Sequence, residues 1–315
     1  MNTLTRIVAL ALWLISFSLA AQDGKIVEKI AFTVSDSVRI RLNPVIRREI
    51  DSINFYRITY LSDGLKVKAF MAEPKSGNKF PCIIVNRGGN REFSKWTEYS
   101  VASVMGRYAS WGYVAIASQY RGNDGGEGKE EFGGKDVHDV LNLLPLLNEI
   151  PRADTSRIGM EGTSRGGMMT YLAMKNTKRL KAAVVISGTA DLFQNLPKRP
   201  QLEKNVFAEL IPNYQEEKEK ALRARSAVYW ANEMCKTTPL LIMHGSADWR
   251  VSPSEAISLV QKLYDAKHPV RFILFEGADH AINEYKTEVT QHVKKHFNHY
   301  LRDEKKWPSL EPHGF

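Results

Sequence analysis

Three side chains in this sequence combine types, order and surroundings that could perform covalent acyl transfer: Ser164, Asp248 and His280. A serine hydroxyl is a poor nucleophile until an imidazole takes its proton. A carboxylate must then hold that ring in one tautomer and steady the imidazolium that forms. Ser164 lies in Gly162-Thr163-Ser164-Arg165-Gly166, a G-x-S-x-G pattern. The pattern has a steric cause: where a strand turns at once into a helix, the serine is lifted clear of the sheet edge in a strained backbone conformation that small neighbours permit. Composition alone produces it in roughly one chain in ten of this length, so the partners decide.

Asp248 follows the apolar run Pro239-Leu240-Leu241-Ile242-Met243, and His280 follows Phe272-Ile273-Leu274-Phe275. Each therefore stands just past the end of an expected strand, where active groups of parallel sheets gather. Plainer readings exist for all three. Ser164 could be a tight turn, Asp248 a helix cap (although Ser252 or Ser254 is better placed for that), and His280 a surface residue beside a polar Asp279. His244, at a strand end before Gly245, reads as a packed turn residue rather than a base. Acyl transfer also needs donors for the developing oxyanion. The backbone N–H of Arg165 is one candidate, and the second is expected from Arg87 or Gly88, where glycines let the backbone approach substrate.

The rest of the chain has to place these residues. Phe55–Tyr60 and Leu65–Ala72 alternate about an Asp63-Gly64 turn and predict an antiparallel hairpin. Strands are then expected at Pro81–Asn86, Tyr113–Ser118, Arg157–Gly162, Ala182–Ser187, Pro239–His244 and Arg271–Phe275. Helices are expected at Lys95–Ser110, Asp136–Ile150, after Ser164, at Pro253–Lys267 and at Thr287–Arg302. Continuous apolar strands alternating with amphipathic helices give a mostly parallel eight-stranded sheet with helices on both faces. The chain order Ser, Asp, His is that of an α/β-hydrolase. Residues 192–234 interrupt the alternation with a polar helical insertion, placed where a small cap would sit.

Residues 1–21 carry Arg6, an apolar run and then Ser18-Leu19-Ala20-Ala21, the pattern of a secretory signal cleaved after Ala20. The expected product is secreted or periplasmic and does not stay inserted in a membrane. It has an N-terminal extension over 22–53, a hydrolase domain over 54–303 and a tail over 304–315. The extension is polar and basic, with weak strand patterning, and could pack along the domain edge. The formal charge of +9 is spread along the chain among acids, which reads as a basic solvated face rather than a nucleic-acid surface. Gly122–Gly134 is glycine-rich but lacks the spacing of a phosphate loop; neither cofactor nor metal is expected. Arg121 is expected to pair with Asp136 or Asp139. Cys82 and Cys235 lie about three strands apart, roughly 14 Å at ~4.8 Å per strand. That exceeds the ~7 Å a disulfide allows, so both should be free thiols.

Taken together, Ser62–Phe70 (SDGLKVKAF), Gln119–Gly122 (QYRG), Lys135–Asp139 (KDVHD), Ile158–Thr170, Pro239–Val251 and the Gly277–His280 turn resemble the catalytic domain of the prolyl oligopeptidase family of serine peptidases. The resemblance runs from about Asn54 to Tyr300. It implies Ser164 as nucleophile, Asp248 as orienting acid and His280 as base, acting on a short peptide or, in related branches, an acyl ester. The family's peptidases usually carry a β-propeller before this domain, whereas about 30 residues precede the sheet here, which brings a carboxylesterase, or an inactive hydrolase fold used for binding, into consideration. Arg87 stands where those peptidases often carry tyrosine or histidine, and Arg165 replaces an aromatic residue. Two arginines beside the nucleophile favour a substrate bearing a carboxylate.

Overall fold

Cys82-Ile83-Ile84-Val85 is apolar at every position and so has no face to give to water. In the computed structural model, which describes residues 22–307 and 309–314, it forms the middle of strand β4 (Phe80–Asn86) at the centre of a nine-stranded sheet. The expected leader, 1–21, lies outside the described residues. The other strands are β1 (Ile26–Phe32), β2 (Ile53–Ser62), β3 (Leu65–Pro74), β5 (Val114–Ser118), β6 (Ala153–Thr163), β7 (Leu180–Ile186), β8 (Leu240–Gly245) and β9 (Val270–Phe275). They lie in the order β1-β2-β3-β5-β4-β6-β7-β8-β9. From β5 to β9 every pairing is parallel; β1, β2 and β3 are antiparallel additions at one edge.

Because side chains alternate along a strand, β4 feeds two cores. Ile84 packs with Met160, Val185, Met168 and Tyr171 on one face, while Ile83 and Val85 pack with Val184, Met105, Tyr108 and Phe297 on the other. Burying a side chain such as Ile83 or Ile84 completely contributes about 2 kcal/mol. Helices cover both faces, as the sequence pattern requires. Those used below are α1 (Asp136–Leu141), α2 (Arg165–Asn176), α3 (Tyr214–Arg225), α4 (Pro253–Asp265) and α5 (Lys286–Phe297). The helix expected to run from Asp136 to Ile150 stops at Leu141 and restarts at Leu143. Pro145 has no N–H to donate back to Leu141.

The sheet has nine strands rather than the eight expected, because the N-terminal extension supplies β1. Five of its seven residues are exposed, so no hydrophobic alternation announces it; it is held by backbone pairing to β2 and by Phe32 against Phe55 and Phe70. The chain then folds under the sheet and buries Val34, Leu42, Ile46 and Ile50 in the second core. Leu42 is 2% exposed, so Leu42→Ala should lower the unfolding free energy by about 3 kcal/mol, read as a reduced midpoint in urea.

Residues 192–234 are helical, as expected. Arg91 Nη2 meets Glu209 Oε2 at 2.5 Å, Arg199 Nη1 donates to Arg250 O at 3.0 Å, and Arg225 donates to Phe132 O and Glu131 O. The insertion thus contacts the loops after β4, β8 and β5.

Candidate active site

Strand β6 ends at Thr163 and α2 starts at Arg165, leaving a single residue for the turn. Ser164 takes φ 58°, ψ −122°, a conformation that costs a non-glycine residue roughly 1–3 kcal/mol. Neighbouring backbone holds it there: Ser164 N donates to Ile186 O at 3.0 Å, and its carbonyl accepts from Gly167 N at 2.9 Å. The glycines of the motif are obligatory for a visible reason. A Cβ on Gly162 would lie 2.0 Å from Gly166 O, and one on Gly166 would lie 2.0 Å from Asn86 O. The serine side chain stays partly exposed.

Asp248, on the loop after β8, is buried. Its Oδ1 accepts from Arg250 N at 2.8 Å and Val251 N at 3.0 Å, and its Oδ2 lies 2.7 Å from His280 Nδ1. Burial pushes this carboxyl up, but hydrogen bonds from His244, His280 and Val251 N outweigh it and hold the group well below the usual carboxylate range. His280, on the loop after β9, is partly exposed, and with Nδ1 committed to Asp248 its Nε2 is the nitrogen left for a substrate-side proton. Among the described residues no hydrogen bond joins Ser164 Oγ to that ring; such contacts commonly tighten only when substrate arrives.

His244 is packed, as expected, yet it is also part of this cluster. Its Nε2 lies 3.1 Å from Asp248 Oδ2 and 3.0 Å from Val251 O. The four-residue separation from Asp248 was the available signal, since a strand end and the loop beyond it fold back on one another.

Gly88 lies against Ser164: a Cβ there would sit 3.3 Å from Ser164 Cβ and 3.9 Å from its Oγ. The Arg165 N–H, in the first turn of α2, has no carbonyl four residues back inside the helix to bond. Gly88 and Arg165 therefore both lie beside Ser164. The side chains of Arg87 and Arg165 do something else. Arg87 is 3% exposed; its guanidinium donates to the carbonyls of Gln119 (3.0 Å), Arg91 (2.8 Å) and Phe93 (3.1 Å). Arg165, also 3% exposed, donates to Glu130 (3.0 Å), Asp136 (2.5 Å) and Gly89 O (3.1 Å). Both are buried and engaged, which corrects the expectation that they receive a substrate carboxylate. They brace residues 88–93, the loop beside the serine. Asp136 is taken by Arg165, so Arg121 pairs with Asp139 at 2.8 Å and with Asp63.

Glu255, in the first turn of α4, is fully buried and accepts from Ala190 N, Asp191 N and Asn195 Nδ2, tying the start of the insertion to the helix. Burial raises its carboxyl to about 8. A raised acid binds its proton more tightly folded than unfolded, so its contribution is present below the unfolded value, about 4.3, and is lost as pH rises toward 8. Glu255→Gln, which cannot ionise, should flatten that decline in urea midpoints measured across the interval. Cys82 and Cys235 are free thiols, and burial raises Cys82 to about 12. Among the described residues, no group of three or more His, Cys, Asp or Glu is placed to hold a metal ion, and no helix is long and apolar enough to cross a membrane.

Comparison with known proteins adds the following. The sequence profile of the prolyl oligopeptidase family matches residues 93–304. The uncharacterized peptidase YtmA of Bacillus subtilis is 30% identical over 219 residues, covering 69% of this chain and 82% of that one. Other relatives are longer: Dipeptidyl-peptidase 5 of Porphyromonas gingivalis, 26% identical over 214 residues, is matched over 30% of its length and 64% of this chain. The acylaminoacyl peptidase of Pyrococcus horikoshii shares the fold with a TM-score of 0.66 at 23% identity, over 87% of this chain and 45% of that one. An acetyl xylan esterase from a Paenibacillus species does so with 0.65 at 18% identity, over 90% and 93%.

Proposed function

Because the chain belongs to the prolyl oligopeptidase family, we propose that it cleaves short peptides through an acyl-enzyme formed on Ser164, with His280 as base and Asp248 as the group that orients it. It is a serine hydrolase of the peptidase type found in that family. His280 Nε2 takes the Ser164 proton as Oγ attacks the scissile carbonyl carbon. The electron pair moves to the carbonyl oxygen, which the N–H groups of Gly88 and Arg165 receive. The C–N bond then breaks, and His280 returns its proton to the leaving amine. Water, deprotonated by the same ring, attacks the ester in turn, and the acid departs with Ser164 restored.

The observation that carries this reading is the 2.7 Å bond from His280 Nδ1 to Asp248 Oδ2. Residues 192–234 would act as the cap over the substrate. The signal-like run at 1–21 supports a secreted or periplasmic address, which the N-terminal sequence of the exported protein tests. A carboxylesterase is the second reading, favoured by the fold match that covers 93% of an esterase chain.

The deciding experiment assays the mature protein beside Ser164→Ala on short peptide anilides and on short-chain nitrophenyl esters. Amide cleavage that disappears in the variant supports the peptidase. Ester turnover alone, lost in the same way, moves the protein to the esterases. Silence on both, without labelling by a fluorophosphonate, overturns catalysis and leaves a binding role.

A further inference from the structure

A second histidine touches the carboxylate that orients the base. We infer that His244 is a positioning residue for acyl transfer: its Nε2 donates to the Val251 carbonyl oxygen at 3.0 Å and lies 3.1 Å from Asp248 Oδ2, a contact that keeps the carboxylate facing His280. The inference rests on the proposed role of the Asp248–His280 pair.

The geometry sets the tautomer. A carbonyl oxygen can only accept, so the hydrogen must be on Nε2 and directed at Val251 O, with Oδ2 3.1 Å from the same nitrogen. The other ring nitrogen, Nδ1, is buried with no partner among the described residues. A proton there would be an N–H with nothing to receive it, so the ring is a neutral donor. The two carboxylate oxygens are then held differently. Oδ1 is pinned by two backbone N–H groups of its own loop. Among the described residues Oδ2 meets only side chains, His280 at 2.7 Å and His244 at 3.1 Å. Without His244, that oxygen has one tether, and that tether is the ring whose orientation it is supposed to set.

Stability does not explain a histidine at this position. The side chain is 0% exposed and leaves a buried nitrogen unpaired, so its one hydrogen bond, to Val251 O, is offset by an orphaned polar atom that leucine or methionine would not carry. Local rules broken without a stability gain point to function.

Removing the donor also concentrates negative charge on Oδ2, the oxygen that faces His280 Nδ1, so the acid limb of the rate profile should move up. The charged and titratable groups bearing on Asp248 are His244, His280 from the loop after β9 and Arg199 from the insertion; Glu255 of α4 bears on Arg199.

The test compares His244→Leu, which deletes the donor, with His244→Gln, whose amide nitrogen can reach the place of Nε2. The readouts are kcat/KM on the active substrate class and the rate of Ser164 labelling by a fluorophosphonate, both across the acid limb. The leucine variant should lose roughly 10- to 100-fold in both rates, with the acid limb moved up by about half a pH unit and KM unchanged. The glutamine variant should stay within about threefold of the parent. An unmoved acid limb in the leucine variant, or a glutamine variant as impaired as the leucine one, overturns the inference.

If the leucine variant does not fold, nitrogen NMR of the histidine-labelled parent decides. A His244 signal of the Nε2–H tautomer supports the inference, and any other tautomer overturns it. That measurement needs no turnover. A wild-type protein that fails to label with the phosphonate would therefore defeat the proposed function and leave the His244 contact separately decided.

Discussion

Ser164→Ala should abolish turnover, with kcat falling by roughly 10⁵- to 10⁶-fold, the scale at which removal of a triad nucleophile leaves only the oxyanion donors and binding at work. KM should move little, because Oγ forms its bond in the transition state and not on binding. Ser164→Gly should be equally inactive, but its stability should go the other way. At φ 58°, ψ −122° the serine occupies a region that suits glycine. Relief of roughly 1–3 kcal/mol of strain outweighs the 0.5–1 kcal/mol or so of extra chain entropy that glycine loses on folding. The glycine variant should therefore unfold at higher urea than the parent, by about 1 kcal/mol, while Ser164→Ala, which keeps a Cβ in the strained position, should not. A glycine variant less stable than the alanine one would show that the turn is not strained. The expected pair of results is the signature of a residue kept for chemistry at the expense of stability.

What could be read from sequence, and what could not, follows from the range of the interactions. The hairpin about Asp63-Gly64 and the apolar strands after it depend on patterning within ten residues, and their centres are where the periodicity puts them. The order Ser164, Asp248, His280 at strand ends was legible because a parallel sheet brings such ends to one edge, and the structure sets His280 Nδ1 2.7 Å from Asp248. β1 showed only as weak patterning in an extension that could pack along the domain edge, since an edge strand exposed on both faces is selected by backbone pairing rather than by its side chains. The partners of Arg165 escaped for a different reason. Glu130 and Asp136 lie 35 and 29 residues upstream; nothing local distinguishes Asp136, which turns to Arg165, from Asp139, which turns to Arg121. An arginine next to a nucleophile reads as a substrate contact until its acids are found.

Those acids make Arg165 the site of the second large effect. In Arg165→Met the aliphatic stem is kept and the guanidinium lost, leaving Asp136 (0% exposed) without its ion pair and Glu130 (3% exposed) with only the Arg87 guanidinium 3.9 Å away. Removing one partner of such a cluster costs about 3–5 kcal/mol; the face-on contacts of the guanidinium with Tyr120 and Phe132 are lost as well. Arg165→Lys should recover only part, because an ammonium cannot donate in a fork to Glu130, Asp136 and Gly89 O together. The pH dependence separates this cause from simple misfit. In the parent, burial pushes the Glu130 carboxyl up, but Arg165 and the hydrogen bonds from Arg91 N and Asn123 bring it below its ordinary value. A lowered acid contributes stability that is present above its unfolded value, near pH 4.3, and disappears as pH falls through the folded one. In Arg165→Met Glu130 loses the largest of the contributions that hold it low, so the deficit relative to the parent should be largest near neutral pH and shrink toward pH 4. Urea midpoints for both proteins across that interval test it, and a deficit independent of pH would assign the loss to packing alone. Catalysis should fall with stability, since Gly89 O is one of the points at which Arg165 holds the loop that presents Gly88 to Ser164. The expected mark is a lower kcat with KM little changed, because a displaced oxyanion donor is missed in the transition state rather than on binding.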